Sequence, residues 1–445
     1  MRHTRGVSIG RDIQGRIYRS GLFGHRPPVP TSNDRLEEAA RRRMSPEAWS
    51  YVAGGAGLQA TVRANREALD RVRLVPRQLV DVEDRDLSVQ LLGRTLRSPL
   101  LLAPIGVLEM AHPDAEYAVA AAARELDIPM IISSQGSVAM EETARTLRRT
   151  PRLFQLYWSR DEDVVASFVE RAESIGADAI VVTLDTHVLG WRTRDLDLGY
   201  LPFARAEGIA QYTSDPAFRR LVERRSTAPR QAQGRQAEPV EGRPGLLELP
   251  SAIKALRSMR GHWPDPSTGS RRRRVGWGDP RPRVAVETFL DVFSRSDLTW
   301  ADLARLRKMT RLPILVKGVQ HRDDARLALE HGVDGIVVSN HGGRQVDGAI
   351  GSLDALPGVV EEVARAGAGV PVLFDSGIRG GSDVVKALAL GARAVLVGRP
   401  WVYGLALAGE AGVRAVLEHL LAELDLTMGL VGVRTPTELG PDVLA

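Results

Sequence analysis

Eight short apolar runs, each bounded by Pro or Gly, recur along the chain, at residues 100–104, 129–133, 153–157, 179–185, 313–318, 335–340, 371–375 and 394–398. Their apolar residues are continuous rather than alternating, the pattern of parallel strands covered on both faces. Stretches with apolar residues at helical spacing separate most of them. Residues 114–126 open at Asp114, a plausible N-cap, and 161–175 stop before Gly176. Residues 322–331 stop before Gly332, and 382–390 begin Ser382-Asp383 and stop before Gly391. These are ordinary helix start and stop signals. Strand, loop and helix repeated eight times predict a closed parallel α/β barrel of the (β/α)8, or TIM, type. A doubly wound open sheet is the alternative. It ordinarily carries a phosphate loop after its first strand, and residues 100–107 contain none.

The repeat is broken once. About 125 residues separate Asp185 from Pro313, far more than one crossover needs. Residues 193–290 are therefore expected to be a loop or lid insertion after the fourth strand. Within it, 231–283 is rich in Arg, Pro, Gly, Gln and Ser and is expected to be partly disordered. Residues 1–48 are expected to form an N-terminal arm or cap, with a helix start at Ser45-Pro46-Glu47, and 49–445 the barrel domain. The 445 residues accommodate one decorated barrel, since that fold takes about 250 or more.

Charge changes the picture little. The formal net charge is +5, with Arg-rich runs at 41–43 and 271–274. No basic stretch is interleaved with aromatics, so a solvated Arg-biased surface is the expectation and a nucleic-acid-binding, non-catalytic protein the alternative. The absence of cysteine excludes disulfides and thiolate catalysis. No zinc-ligand set is present, so no metal is expected. With no signal-like N-terminus and no run of apolar residues long enough to span a bilayer, cytoplasmic residence is expected.

Reactive groups of such a barrel belong at the C-terminal ends of its strands. The sixth run ends Ser339-Asn340-His341-Gly342-Gly343-Arg344. An imidazole there can serve as a general base and a guanidinium can pair with a carboxylate, although an isolated His at a loop start is commonly structural. The fourth run ends Thr183-Leu184-Asp185-Thr186, with Trp191-Arg192 beyond. Asp185 can hold an imidazole or cap a helix, and Arg192 can be a second clamp or a surface Arg. In the third, Gln155 and Tyr157 share one side of the strand. Lys317, between apolar neighbours in the fifth, is costly to bury unless paired. It suits either an anionic cofactor or Schiff-base chemistry of the aldolase kind. The seventh and eighth end Asp375-Ser376-Gly377-Ile378-Arg379 and Gly398-Arg399, two Gly- and Arg-bearing loops that fit a phosphate.

Together with Tyr51-Val52-Ala53-Gly54-Gly55-Ala56 and Ala103-Pro104-Ile105-Gly106-Val107, these motifs resemble the FMN-dependent L-2-hydroxy acid oxidases and dehydrogenases, the glycolate oxidase-like family. The resemblance runs from about Trp49 to the C-terminus. Gly190-Trp191-Arg192, Phe374 through Ile378 and Tyr212-Thr213-Ser214-Asp215-Pro216 are most similar to the lactate 2-monooxygenase branch. The resemblance implies that His341 takes the substrate proton and Asp185 orients it. Arg344, Arg192 and Tyr51 bind the substrate carboxylate and Tyr157 its hydroxyl. Lys317 faces the N1 edge of FMN, while Gln155, Thr183, Ser133 and Ser339 contact the flavin or its chain. Ala103, Pro104, Ile105 and Gly106 back the ring. Asp375 binds the ribityl chain, and Gly377, Arg379, Gly398 and Arg399 hold the phosphate. It further implies a 2-hydroxy acid such as L-lactate as substrate, O2 as acceptor, and a homo-oligomer of four or eight chains. A quinone-linked dehydrogenase or an oxidase for another substrate is the alternative. The chain departs from glycolate oxidases at Val52 and Gln135, and from several oxidases at Gly106.

Overall fold

The computed structural model describes residues 8–227 and 279–445. The Arg run 271–274 and most of the Arg-rich stretch 231–283, with the disorder and lid expected of it, lie outside the described residues.

An antiparallel hairpin, β1 (Val89–Leu91) and β2 (Arg94–Leu96), precedes eight barrel strands. These are β3 (Leu100–Leu102), β4 (Met130–Ser133), β5 (Arg152–Leu156), β6 (Ile180–Thr183), β7 (Ile314–Val319), β8 (Gly335–Val338), β9 (Val372–Phe374) and β10 (Ala394–Val397). They close in the order β10-β3-β4-β5-β6-β7-β8-β9, with every neighbouring pair parallel. All eight coincide with the apolar runs, so the barrel reading holds and the open sheet does not.

The pleat sorts each run into two layers. Leu100, Ile132, Phe154, Val182, Val316 and Val338 join the core shared with the outer helices. Leu101, Ile131, Leu153, Val181, Leu315, Val337, Leu373 and Leu396 form a separate inner cluster. Val89, Leu91 and Leu96 of the hairpin, which the apolar pattern did not announce, join that inner cluster and plug the N-terminal end of the barrel. Two residues further along every strand the same inward face carries Ala103, Ser133, Gln155, Thr183, Lys317, Ser339, Asp375 and Gly398. Small, polar and charged groups therefore replace aliphatic ones at the C-terminal end, where the barrel stops being core and becomes a floor.

Helix starts follow local chemistry, not always the residue expected. Asp161 accepts from Val164 N (3.1 Å) and Ser45 from Ala48 N (3.2 Å), ahead of Pro46, as N-caps do. Asp114 makes no such bond, because its φ/ψ (−78°, −10°) are already helical. The helix expected at Ser382 starts at Gly381, and the Asp383 carboxylate accepts from Arg379 N (2.8 Å) and Gly380 N (3.2 Å). Of the N-terminal segment, the helix Ile9–Gly21 packs on the C-terminal helix Arg399–Leu430, with Gly10 N donating to Asp425 Oδ2 (2.9 Å). After β6 the described chain is helical and well packed. Tyr212, Phe218 and Phe289 are fully buried in a nested set of edge-to-face contacts. No helix among the described residues is long and apolar enough to cross a membrane.

Candidate active site

A cavity continuous with solvent opens over the polar end of the barrel. Sixteen of the residues singled out above line it: Tyr51, Ala103, Pro104, Ile105, Gly106, Ser133, Tyr157, Arg192, Lys317, His341, Arg344, Asp375, Gly377, Arg379, Gly398 and Arg399. Asp185, Gln155, Thr183 and Ser339 do not; they stand behind it. Gln155 accepts from Ser133 Oγ (3.1 Å) and donates to Thr183 Oγ1 (3.1 Å), so it braces the floor. Val52, Gln135, Thr186, Leu189, Phe203, Phe293, Gly342, Ser376, Ile378 and Leu396 complete the lining. Several of these lie inside the motifs quoted above, and Leu396 has the inward parity of β10. Phe203 and Phe293 carried no sequence signal, since they reach the site only through the fold of the segment after β6.

The imidazole is held on both sides. His341 Nδ1 stands 2.8 Å from Asp185 Oδ1, and Nε2 is 3.4 Å from the Tyr157 hydroxyl. Thr186 Oγ1 donates to the same Asp185 oxygen (3.0 Å). The carboxylate thereby fixes Nδ1–H as the protonated nitrogen and leaves Nε2 facing the cavity as the basic one. The chain reverses sharply to present it: His341, Gly342 and Gly343 have φ of 58°, 65° and 76°. A non-glycine residue in that region costs about 1–2 kcal/mol. Hydrogen bonds of His341 N to Ser339 Oγ (3.0 Å), Gly342 N to Ser376 Oγ (3.0 Å) and Gly343 N to Asn340 Oδ1 (3.0 Å) hold the turn. At Gly343 a Cβ would lie 2.7 Å from Val62 N, so the position requires glycine.

Burial pushes the His341 pKa down; the Asp185 charge and hydrogen bond pull it up, and the net result is below 6.5. Burial opposes the Asp185 charge, but His341 and Lys317 outweigh it and lower its pKa to about 2. The ring is thus neutral and the carboxylate ionised at neutral pH, as a base and its orienting partner must be. Burial and Asp185 together push the Tyr157 hydroxyl up to about 12, so it remains a hydrogen-bond donor.

Two guanidinium groups complete this end. Arg344 Nη1 donates to Gly54 O (2.9 Å) and to Tyr51 O, and its guanidinium lies 5.0 Å from the Tyr51 ring. Arg192 donates to Arg344 O (3.3 Å) and Gln345 Oε1 (3.1 Å). Each is fixed by one edge, and among the described residues neither forms an ion pair with a carboxylate. Burial, then the neighbouring Arg192 charge, lowers the Arg344 pKa to about 9. Arginine keeps its proton in proteins, so a buried cation faces the cavity here that an incoming anion would stabilise.

Lys317 is paired, not free. Its Nζ lies 3.1 Å from Asp375 Oδ2 and 2.8 Å from Ser339 Oγ. Burial opposes its charge, but Asp375 and Asp185 overcome this and raise its pKa. A Schiff-base lysine needs a neutral amine, so the aldolase alternative finds no support here. Since Lys317 and Asp375 side chains are only 5% and 10% exposed, Lys317→Met is expected to strand a buried carboxylate and cost roughly 3–5 kcal/mol in denaturant unfolding. A loss below about 1 kcal/mol would mean that the pair is solvated.

At the far end Gly398 starts the helix Arg399–Leu430, whose positive end faces the cavity. A Cβ at Gly398 would meet nothing closer than Ile105 Cδ1 at 3.5 Å, so the backbone there is open to a ligand. Arg379 lines the same space. Arg399 does so with its guanidinium tied to Val52 O (2.9 Å), Gly342 O (3.0 Å) and Gly54 O (2.9 Å). It therefore clamps the Tyr51 segment to the His341 loop as well as contributing charge. The N–H groups of Arg379 and Gly380 are already taken by Asp383, which also pairs with Arg66 (2.7 Å). Among the described residues no cluster of His, Asp and Glu fit to bind a metal occurs.

A closed parallel barrel whose open end carries cations after β9 and β10, a buried ammonium on its floor, and an imidazole and two guanidinium groups on its wall has the features of a barrel enzyme for anionic ligands. The chain belongs to the FMN-dependent dehydrogenase family, whose match spans residues 40–445. It is 42% identical over 439 residues to the FMN-dependent alpha-hydroxy acid dehydrogenase qulF of Penicillium citrinum, covering 98% of this chain and 96% of that protein. It is 36% identical over 405 residues to an L-lactate oxidase of Lysinibacillus sphaericus, covering 91% and 90%. A crystal structure of mandelate oxidase superposes with a TM-score of 0.70 at 34% identity, covering 94% of this chain and 98% of that one. The cofactor is FMN, and the floor of Ser133, Lys317 and Asp375 with cations beyond Gly398 suits it. The activity is FMN-dependent oxidation of 2-hydroxy acids.

Proposed function

We propose that the chain oxidises an L-2-hydroxy acid to the 2-oxo acid with O2 as acceptor, L-lactate being a small acid that meets every contact of the reacting end. The observation that carries this reading is the convergence of His341, Arg344 and Arg192 on one cavity face, with Asp185 2.8 Å behind the imidazole. The unengaged edges of Arg344 and Arg192, helped by Tyr51, hold the carboxylate. Tyr157 holds the substrate hydroxyl close to His341 Nε2. His341 takes a substrate proton there, and Asp185 stabilises the imidazolium that results. FMN, when bound, supplies the two-electron acceptor. Lys317 offers a fixed positive charge on its floor.

Two outcomes balance. Release of the oxo acid gives pyruvate and H2O2 from lactate and O2. Retention gives acetate, CO2 and water, the lactate 2-monooxygenase outcome, which the resemblance of residues 190–192 and 212–216 to that branch favours. Anaerobic titration with L-lactate should bleach the visible spectrum of the yellow protein, and product analysis in air distinguishes acetate from pyruvate with peroxide. An unbleached spectrum with every L-2-hydroxy acid tried would refute the reading. Assembly as a homo-oligomer belongs to the same proposal, and light scattering tests it.

The pH dependence has a definite sign. The base works only when neutral, and its pKa lies below 6.5. kcat/KM should therefore rise with pH along an acid limb below 6.5 and then level off. Asp185→Asn removes the charge that raises the imidazole pKa. It should move that limb to lower pH and drop the plateau by roughly 10²-fold or more. A limb that stays in place would dissociate Asp185 from the base.

A further inference from the structure

Among the described residues that line the cavity, Gln135 is the polar group to which the proposed reaction gives no role. It is 8% exposed and lines the cavity, and neither atom of its side-chain amide has a hydrogen-bond partner among the described residues. Its backbone is pinned at both ends: Gln135 N donates to Ser133 Oγ (3.1 Å) and Gln135 O accepts from Val107 N (2.9 Å). Gly106 lets it come this close, because a Cβ at 106 would lie 2.7 Å from Gln135 O and 2.8 Å from Gln135 Cβ. The direction in which the side chain leaves the backbone is thus set by the fold. The amide faces the cavity with donor and acceptor both unused, so it is open to a ligand group that can hydrogen-bond it.

Its position indicates which part of the ligand that is. Gln135 follows β4 and His341 follows β8, and these strands stand opposite each other in the ring of eight. A substrate reacting at His341 therefore has the β4 rim, with Gln135, on the far side of the mouth. The wall there is aromatic. Ala210 N donates to Gly136 O (3.0 Å), which fastens the segment carrying Phe203 to this rim. Phe203 lies 6.1 Å from Phe293, and Phe289 packs behind both, at 5.2 and 5.1 Å. Neither the two lining rings nor the amide offers a charge. Lactate, with a methyl side chain, would leave the amide unpaired and the rings uncovered.

Resting on the hydroxy-acid reading, we propose that Gln135 is a specificity-determining residue and that the preferred substrate is an L-2-hydroxy acid with an aromatic-sized side chain bearing a neutral hydrogen-bonding group, the body lying against Phe203 and Phe293 and the polar group on the Gln135 amide. A site built to hydrogen-bond a substrate group discriminates strongly against the analogue lacking it, because its own polar atoms then stay unpaired. The test uses the FMN-loaded full chain and two matched pairs of different length: L-mandelate with L-4-hydroxymandelate, and L-3-phenyllactate with L-3-(4-hydroxyphenyl)lactate, with L-lactate alongside. Anaerobic flavin reduction and spectral Kd values of the matching 2-oxo acids are read for wild type, Gln135→Leu and Gln135→Met. In wild type at least one hydroxylated acid should exceed its deoxy partner by about tenfold or more in kcat/KM, with a parallel gap in Kd, and either variant should erase that ratio. Ratios within about twofold in wild type, or ratios that survive both substitutions, would overturn the assignment. If lactate is oxidised while the ratios are flat, only the side-chain requirement falls. If no acid bleaches the flavin, the hydroxy-acid reading falls and takes this one with it.

Discussion

Replacing His341 with Gln is expected to lower the rate of anaerobic flavin reduction by about 10²–10⁴-fold, the span a positioned general base contributes, while the protein stays yellow. The expectation follows from geometry. His341 Nε2 faces the cavity beside Tyr157, and its other nitrogen is committed to Asp185. Glutamine fills similar space and can keep a hydrogen bond to Asp185, but it has no basic nitrogen. The cations and backbone expected to meet the phosphate, Arg379, Arg399 and Gly398, sit on other loops, so cofactor retention should be untouched. Stopped-flow bleaching with L-lactate or a better acid, together with the 450 nm absorbance of the isolated variant, checks both halves. Reduction at the wild-type rate would remove His341 from the mechanism. Loss of flavin would instead make it a structural residue.

Arg344→Met should reduce kcat/KM by about 10²–10³-fold, the range expected when a buried, hydrogen-bonded charge loses its partner. Arg344→Lys should recover only a small part. The guanidinium uses Nη1 to hold Gly54 O and Tyr51 O and keeps its remaining N–H groups for the ligand. An ammonium cannot span both jobs from one point. The depressed pKa of Arg344, driven by burial and then by Arg192, implies that an anion relieves the pocket. Binding of a non-reacting carboxylate such as oxalate should therefore weaken along with turnover. Unchanged oxalate affinity in Arg344→Met would mean that the carboxylate is held elsewhere.

The scaffolding around the site was less legible than the site. Asn65 exchanges two hydrogen bonds with Asn340 (2.9 and 2.7 Å), and Asp347 accepts from Leu58 N (2.6 Å) and Ala60 N (2.7 Å). These pairs are more than 270 residues apart in sequence, and nothing in the local pattern around either partner indicates the other. The same holds for Arg66, which ties Gly377 O (2.6 Å) to Asp383. Arg399 could be read as a phosphate group's partner from its Gly-Arg context, but not as the clamp it also is. That role exists only because the chain after Trp49 arrives beside the His341 loop.

What the order of residues determined by itself is the barrel and the identity of its polar ring. Period-two alternation is a property of any strand, and it made Ser133, Gln155, Thr183, Lys317, Ser339 and Asp375 the inward group next after an aliphatic one. The left-handed turn that presents His341 was likewise written locally, in two glycines that accept positive φ at little cost. Tertiary structure decided the rest: the hairpin that plugs the barrel, the aromatic wall of Phe203 and Phe293, and the pairing of Lys317 with Asp375, which sets its charge. It also decided the unpaired state of the Gln135 amide. The physical reason is common to all of these. A side chain's charge state and hydrogen-bond partners depend on neighbours within a few ångströms, and here those neighbours come from elements scattered along the whole chain.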